Sequence, residues 1–138
     1  MPDTFVDTNV ILDVAGPASR WRQWSEEALR QAGDEGELVI NQIVYSELVA
    51  GYASMEDLDG AMTAGRFRRE SLPFDASYLA GAAFLRYRRR GGARPMPLPD
   101  FFIGAHAAVR GYWLLTRDRG YYRSYFPSLA VVTPETRP

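Results

Sequence analysis

The sequence predicts an α/β fold, a parallel sheet covered by helices on both faces. Three observations carry this. Short apolar runs of strand length alternate along the chain with segments of helical period. Gly, Pro, Asn and Asp punctuate the joints between them. The first run, Phe5-Val6-Asp7, ends on an acid. Open α/β sheets bind their ligands at that kind of strand end.

Taken in order, Thr4–Thr8 is the first strand and Asn9–Val14 its exit into a first helical turn. Gly16-Pro17 breaks that segment. Ser19 suits an N-cap for a helix running to about Ala32, with Trp21, Trp24, Ala28 and Leu29 at helical spacing. Leu38–Ile40 is the second strand. Asn41 follows as a cap for a helix over Ile43–Tyr52, with Ile43, Val44 and Leu48 on its apolar face. Glu47 lies on or beside that face. Met55–Arg68 reads as a further helix and Glu70–Phe74 as the third strand. Asp75 is the expected cap of a helix over Ala76–Arg90. A stiff loop, Gly91 to Pro99, leads to Pro99-Asp100, which opens a helix over Phe101–Arg110. Gly111 ends that helix. Tyr112–Thr116 is the fourth strand, Asp118–Ser124 a short helix and Leu129–Thr133 the fifth strand.

The chain has 138 residues, one domain's worth, with 46% hydrophobic residues for a core. Net charge is −1, so any nucleic-acid contact must come from local patches. All 16 basic residues are Arg, which excludes P-loop phosphate binding and Schiff-base chemistry. There is no Cys and a single His, His106, so no disulfide, thiol nucleophile or multi-histidine metal site can form. Metal ligands must then be oxygens, which favours Mg²⁺ or Mn²⁺. The N-terminus lacks a basic-then-apolar signal pattern. No apolar run approaches the ~20 residues of a membrane helix. The expectation is a soluble cytoplasmic protein.

Four acids fall at one edge of such a sheet. Asp7 ends strand one, Glu47 lies in the opening turns of the helix after strand two, and Asp100 begins the helix before strand four. That helix descends ~15 Å at 1.5 Å per residue. Strand four climbs back ~16 Å at about 3.3 Å per residue, which returns the chain to the level of Asp100 where Asp118 appears. Lateral adjacency depends on strand order, which periodicity does not supply. Clustered carboxylates repel each other, and a divalent cation removes that penalty. Such a cation polarises a phosphoryl oxygen and acidifies a bound water.

Four segments carry a resemblance over essentially the whole chain. They are Val6-Asp7-Thr8-Asn9, Tyr45-Ser46-Glu47-Leu48, Pro99-Asp100-Phe101-Phe102-Ile103-Gly104-Ala105 and Leu115-Thr116-Arg117-Asp118. In order and setting they resemble a PIN domain, and most of all a VapC-type ribonuclease toxin. The resemblance implies a PIN-like fold with five parallel strands in the order 3-2-1-4-5, strands one and four side by side. It implies RNA cleavage dependent on Mg²⁺ or Mn²⁺, with one or two ions, leaving a 5′-phosphate and a 3′-hydroxyl. Asp7, Glu47 and Asp100 match the metal-binding acids and Asp118 the fourth, more variable one. Thr116 resembles a hydroxyl beside the metal–water network, and Asn9 a polar residue steadying the first loop. The implied partners are an RNA (tRNA, rRNA or mRNA), a VapB-type antitoxin and a second copy of the chain, with no membrane.

Simpler readings stand beside these. Asp7, Asp100 and Asp118 each suit a turn or helix cap. Asp13 reads as a first-helix charge rather than a ligand, and His106 as a satisfied or half-exposed helix residue. Arg86, Arg88, Arg89, Arg90 and Arg94 form the densest basic run. They suit a solvated helix end or contact with RNA or a partner. Arg117 flanks Asp118 and suits the same RNA or partner contact. Tyr121, Tyr122, Tyr125 and Phe126 read as core and rim packing. The rival functions are an RNA-processing nuclease without an antitoxin and a non-catalytic module that binds RNA or protein.

Overall fold

The computed structural model of the chain describes residues 2–91, 97–118 and 121–138. Five strands form one sheet. They are β1 (Thr4–Val6), β2 (Leu38–Ile40), β3 (Phe67–Arg69), β4 (Trp113–Leu115) and β5 (Val131–Val132). Every pairing is parallel and the order is β3-β2-β1-β4-β5. The register sets Phe5 opposite Val39 on one side and Leu114 on the other. Phe5, Val39 and Leu114 are fully buried, as a sheet covered on both faces requires. The expected strand order is thus borne out.

Seven helices cover the sheet among the described residues: α1 (Thr8–Ala15), α2 (Arg22–Glu35), α3 (Gln42–Leu48), α4 (Met55–Ala64), α5 (Phe74–Arg89), α6 (Leu98–Arg110) and α7 (Tyr121–Tyr125). Asn41 caps α3 as expected, its Oδ1 accepting from the Ile43 and Val44 N–H groups. Gly111 ends α6 in the left-handed conformation (φ 72°), which glycine adopts without steric cost.

The third strand departs from expectation. It is Phe67–Arg69, not Glu70–Phe74, and α4 stops at Ala64 instead of reaching Arg68. The Gly65 N–H closes α4 on the Ala61 carbonyl, and Arg66 turns the chain at φ 60°. A β-carbon on Gly65 would stand 2.6 Å from the Phe67 ring. An edge strand needs only one apolar face, so Phe67-Arg68-Arg69 pairs with β2 despite its two cations.

Helix starts and ends differ too. Ser19 does not cap α2. Its hydroxyl accepts from the Trp21 N–H and donates to Asp13 instead. α3 ends at Leu48 and gives way to a 3₁₀ turn over Val49–Gly51. α5 begins at Phe74 on Pro73, which places Asp75 inside the first turn. α6 begins at Leu98, so Asp100 also sits in a first turn rather than at the cap. α7 begins at Tyr121, and Asp118 lies ahead of it, outside any helix or strand. Arg94 and most of the loop before α6 lie outside the described residues.

His106 is fully buried rather than half-exposed. The Asn41 Oδ1 is committed to α3, so its Nδ2 faces His106 Nδ1 as the donor, at 3.0 Å. His106 Nε2 then donates to Glu70 at 2.7 Å. Tyr112 and Arg68 donate to the same carboxylate. This chain of bonds ties the cap of α3 to the middle of α6.

Burial holds the His106 imidazole below its usual 6.5 against the pull of Glu70. Burial also opposes ionisation of Glu70, but the bonds from Tyr112, His106 and Arg68 outweigh it and hold Glu70 at about 2. Both folded-state values are depressed, so both contributions are complete at high pH and lost as pH falls. The stabilisation that His106 gives over a His106→Leu variant, read as a difference in urea midpoint, is expected to shrink as pH falls below 6.5, the unfolded His value, and that of Glu70 over Glu70→Gln below 4.5, the unfolded Glu value. A His106 difference that stays constant on acidification through 6.5 would contradict this account.

Candidate active site

β1 delivers Asp7 to the carboxyl edge of the sheet. Its N–H donates to the Leu115 carbonyl of neighbouring β4, which fixes its level. Asp7 then caps α1, its Oδ1 accepting from the Thr8 N–H at 2.7 Å. Its Oδ2 accepts from the hydroxyls of Thr116 (2.8 Å) and Tyr122 (3.0 Å), and more weakly from Asn9 (3.4 Å). Only 5% of Asp7 is exposed. Burial pushes its carboxyl from 3.8 up to about 6, against those hydrogen bonds, and the charge of Glu47 adds to the rise.

Glu47 projects from α3, and its Oε1 accepts from the Thr8 hydroxyl at 2.7 Å. Thr8 therefore links the first acid to the second. Asp100 stands in the first turn of α6, where the helix dipole favours a carboxylate. Burial still raises it from 3.8 to about 7, helped by the negative charges of Asp7, Glu47 and Asp118. Asp118 follows β4, its N–H donating to the Thr116 hydroxyl at 3.0 Å. That one buried hydroxyl thus touches both Asp7 and Asp118.

These four acids line one cleft of about 460 Å³, together with Thr8, Asn9, Leu12 and Arg117. The structure therefore brings Asp7, Glu47, Asp100, Asp118 and Asn9 to one place, with Thr116 directly beneath. The carboxylates ring the space. Among the described residues no three acids form a compact, ready-made group of metal ligands. The donor set nevertheless fits a hard divalent cation, for every atom there that could ligate one is an oxygen, from carboxylates, the Thr8 hydroxyl or the Asn9 amide. The raised values of Asp7 and Asp100 express burial first and the charge of neighbouring acids second, and such a cation would offset both.

The basic run lies elsewhere. Arg86, Arg89 and Arg90 are exposed at the end of α5 and do not line the cleft. Arg86 reaches the Tyr125 carbonyl at 3.4 Å, and Arg90 lies over the Tyr125 ring. Arg117 does line the cleft, but its Nε is bound to Asp13 at 2.6 Å. Asp13 is 3% exposed and also accepts from Ser19 and Ser25. It is a buried counter-charge rather than a surface helix residue.

Two participants escaped the sequence reading. Tyr122 reads as packing, and it does pack, at 1% exposure, yet its hydroxyl holds Asp7. Burial beside Asp7 and Asp100 pushes its phenol well up, so it stays protonated and can donate to Asp7. No local pattern separates it from Tyr121 or Tyr125. The signal that could have found Thr8 is a hydroxyl next to the first acid, on the opening residue of α1.

A family model described as PIN domain matches residues 4–127. Among solved structures the chain is similar to the VapBC2 assembly of Rickettsia felis bound to a promoter DNA fragment. The identity is 16% and the TM-score 0.70, with 94% of this chain and 97% of that one covered. It is similar to a toxin–antitoxin complex from Klebsiella pneumoniae at 22% identity and TM-score 0.68, covering 96% and 98%. It is also similar to DNA-bound VapBC from Salmonella typhimurium at 19% identity and TM-score 0.70, again covering 96% and 98%. At these identities the likeness is one of fold. No curated protein matches the sequence.

Proposed function

Because the chain belongs to the PIN-domain family, we propose that it is a Mg²⁺- or Mn²⁺-dependent endoribonuclease, the toxin of a VapBC-type pair acting in the cytoplasm. The observation that carries this reading is the cleft ringed by Asp7, Glu47, Asp100 and Asp118. Two of those acids are pushed to about 6 and about 7.

Asp7, Glu47, Asp100 and Asp118 would hold the cation or its water shell. When bound, the cation supplies a polarised phosphoryl oxygen and an acidified water for in-line hydrolysis. The chain's own residues provide orientation. Thr116, Tyr122 and the Thr8 N–H fix the Asp7 carboxylate in one rotamer. Thr8 steadies Glu47. The cleavage products expected are a 5′-phosphate and a 3′-hydroxyl.

The neighbours named as toxin–antitoxin assemblies support a VapB-type partner. An acidic cleft suits blockade by a cationic side chain of such an antitoxin. Phe74 (94% exposed), Tyr78 (82%) and Leu85 (52%) share one face of α5. That uncovered apolar face supports a homodimer.

The test is cleavage of end-labelled total tRNA, rRNA and mRNA by purified protein with Mg²⁺ or Mn²⁺. EDTA and Asp7→Asn controls run alongside. Discrete fragments that require both the metal and Asp7 are expected. Folded, antitoxin-free protein that cuts none of the three classes would overturn the reading.

Metal binding should carry a pH signature. Protons compete with the cation at Asp7 and Asp100, because ligands must be deprotonated. Their raised values place that competition between about 6 and about 7. Calorimetric affinity for Mn²⁺ is expected to fall roughly tenfold or more from pH 8 to pH 6, with proton release on binding. Equal affinity at both values would show that these carboxyls do not bind the ion.

A further inference from the structure

A second pocket opens beside the acidic cleft. It holds about 340 Å³, and Trp21, Trp24, Thr133 and Pro134 line it together with Arg117 and Asp118. Arg117 and Asp118 also line the acidic cleft, so the two spaces share a wall. Two indoles and a guanidinium give this pocket its aromatic and cationic wall, and Glu135 joins Asp118 as its carboxylates.

The shared wall is a built feature. Arg117 is anchored at both ends. Its backbone N–H donates to Asn9 Oδ1 at 3.2 Å, and its Nε donates to Asp13 at 2.6 Å. Asp13 is itself held by Ser19 and Ser25. The guanidinium then lies 5.8 Å from the centre of the Trp21 ring, and Arg20 lies 4.9 Å from the same centre. Trp24 spends its one donor inside the protein, on the Arg137 carbonyl at 2.6 Å. Its contribution to the pocket is therefore apolar ring surface.

Resting on the nuclease reading above, we propose that this pocket binds an unpaired nucleobase next to the phosphate held over the acidic cleft, with Trp21 and Arg117 as its recognition residues. Indole and guanidinium planes are the surfaces on which unstacked bases are received. The wall common to both spaces is where a phosphate and its attached nucleoside would lie in sequence. A base inside a duplex has both faces stacked and cannot enter.

The full chain would be titrated with a single-stranded oligoribonucleotide carrying one 2-aminopurine, and with the same oligonucleotide in a duplex. Mg²⁺ would be replaced by Ca²⁺ to hold the RNA intact. Stacking is expected to quench the 2-aminopurine in the single strand and not in the duplex. Trp21→Leu is expected to weaken binding about 30-fold, the middle of the range for one stacked base. Trp21→Phe is expected to restore most of it. Near-UV circular dichroism of both variants reports their folding.

The two readings fail separately. Quenching that needs Trp21, from a protein that cuts no RNA, upholds the pocket and sinks the nuclease. A folded Trp21→Leu protein that binds and cuts the same sites as wild type upholds the nuclease and sinks the pocket. Unchanged RNA binding with lost antitoxin co-purification would also sink it, and would assign the pocket to the protein partner.

Discussion

Asp100→Asn protein is expected to melt higher than wild type while cutting RNA at least about 100-fold more slowly. The stability gain follows from the rise of Asp100 to about 7. A folded-state carboxyl raised above its unfolded value opposes folding wherever the unfolded chain would ionise, here above pH 3.8. Each unit is ~1.4 kcal/mol, so the full shift would amount to ~4 kcal/mol. Asp100 is only partly buried, and solvent screening cuts that figure to ~1–2 kcal/mol. Loss of a carboxylate from the first turn of α6 subtracts ~0.5 kcal/mol. Relief of the buried, crowded charge still wins, and a rise of about 3–5 °C is expected for metal-free protein near pH 8. On the proposed nuclease reading, the activity loss follows from removing one cation ligand and one negative charge from the cleft. Saturating Mn²⁺ should narrow the gap in melting temperature, because it stabilises the wild type more. Differential scanning calorimetry with and without Mn²⁺, beside the cleavage assay, checks both halves. A lower melting temperature for metal-free Asp100→Asn would mean that burial and the neighbouring acids do not oppose the Asp100 charge as described.

Arg117→Met is expected to destabilise the fold by ~2–4 kcal/mol, the largest single effect on stability foreseen here. Removing one partner of a buried ion pair costs ~3–5 kcal/mol, because the other charge stays behind uncompensated. Asp13 is that charge, at 3% exposure. The bonds from Ser19 and Ser25 survive and soften the loss. Asp13→Asn with Arg117→Met together should cost less than the sum of the two single changes. Urea unfolding of the four proteins forms a double-mutant cycle, and a coupling below ~0.5 kcal/mol would contradict a functional pair. The effect is local to the site as well. Asp13 and Arg117 bind α1 to the segment that carries Asp118, so the damaged protein should also lose catalytic order.

Much of the site was legible because each acid sits at a joint between a strand and a helix. Joints are written locally, in caps, turn residues and the switch from apolar runs to helical period. Asp7, Asn41 and Gly111 act where such signals place them. Leu38–Ile40 is the second strand with the bounds its own residues suggest. The third strand was hidden for the same reason in reverse. At the sheet edge Phe67-Arg68-Arg69 needs no continuous apolar run, and its helix-like neighbours masked it.

What the sequence determined alone was the chemistry available. Without cysteine or lysine, and with one histidine, any metal had to be met by oxygen, and four acids fell at one edge of a parallel sheet. Only tertiary structure decided which groups meet. Pairing of β1 with β4 sets Asp7 beside Thr116 and Asp118, more than one hundred residues away along the chain. The same packing sends Asp13 inward to Arg117, makes Tyr122 a donor to Asp7, and spends His106 on tying α3 to α6. Long-range partners of this kind leave no periodic trace, because each contact depends on strand order and on side-chain direction. Burial raised the two carboxyls for the same reason. Desolvation belongs to the packed molecule and to no residue on its own.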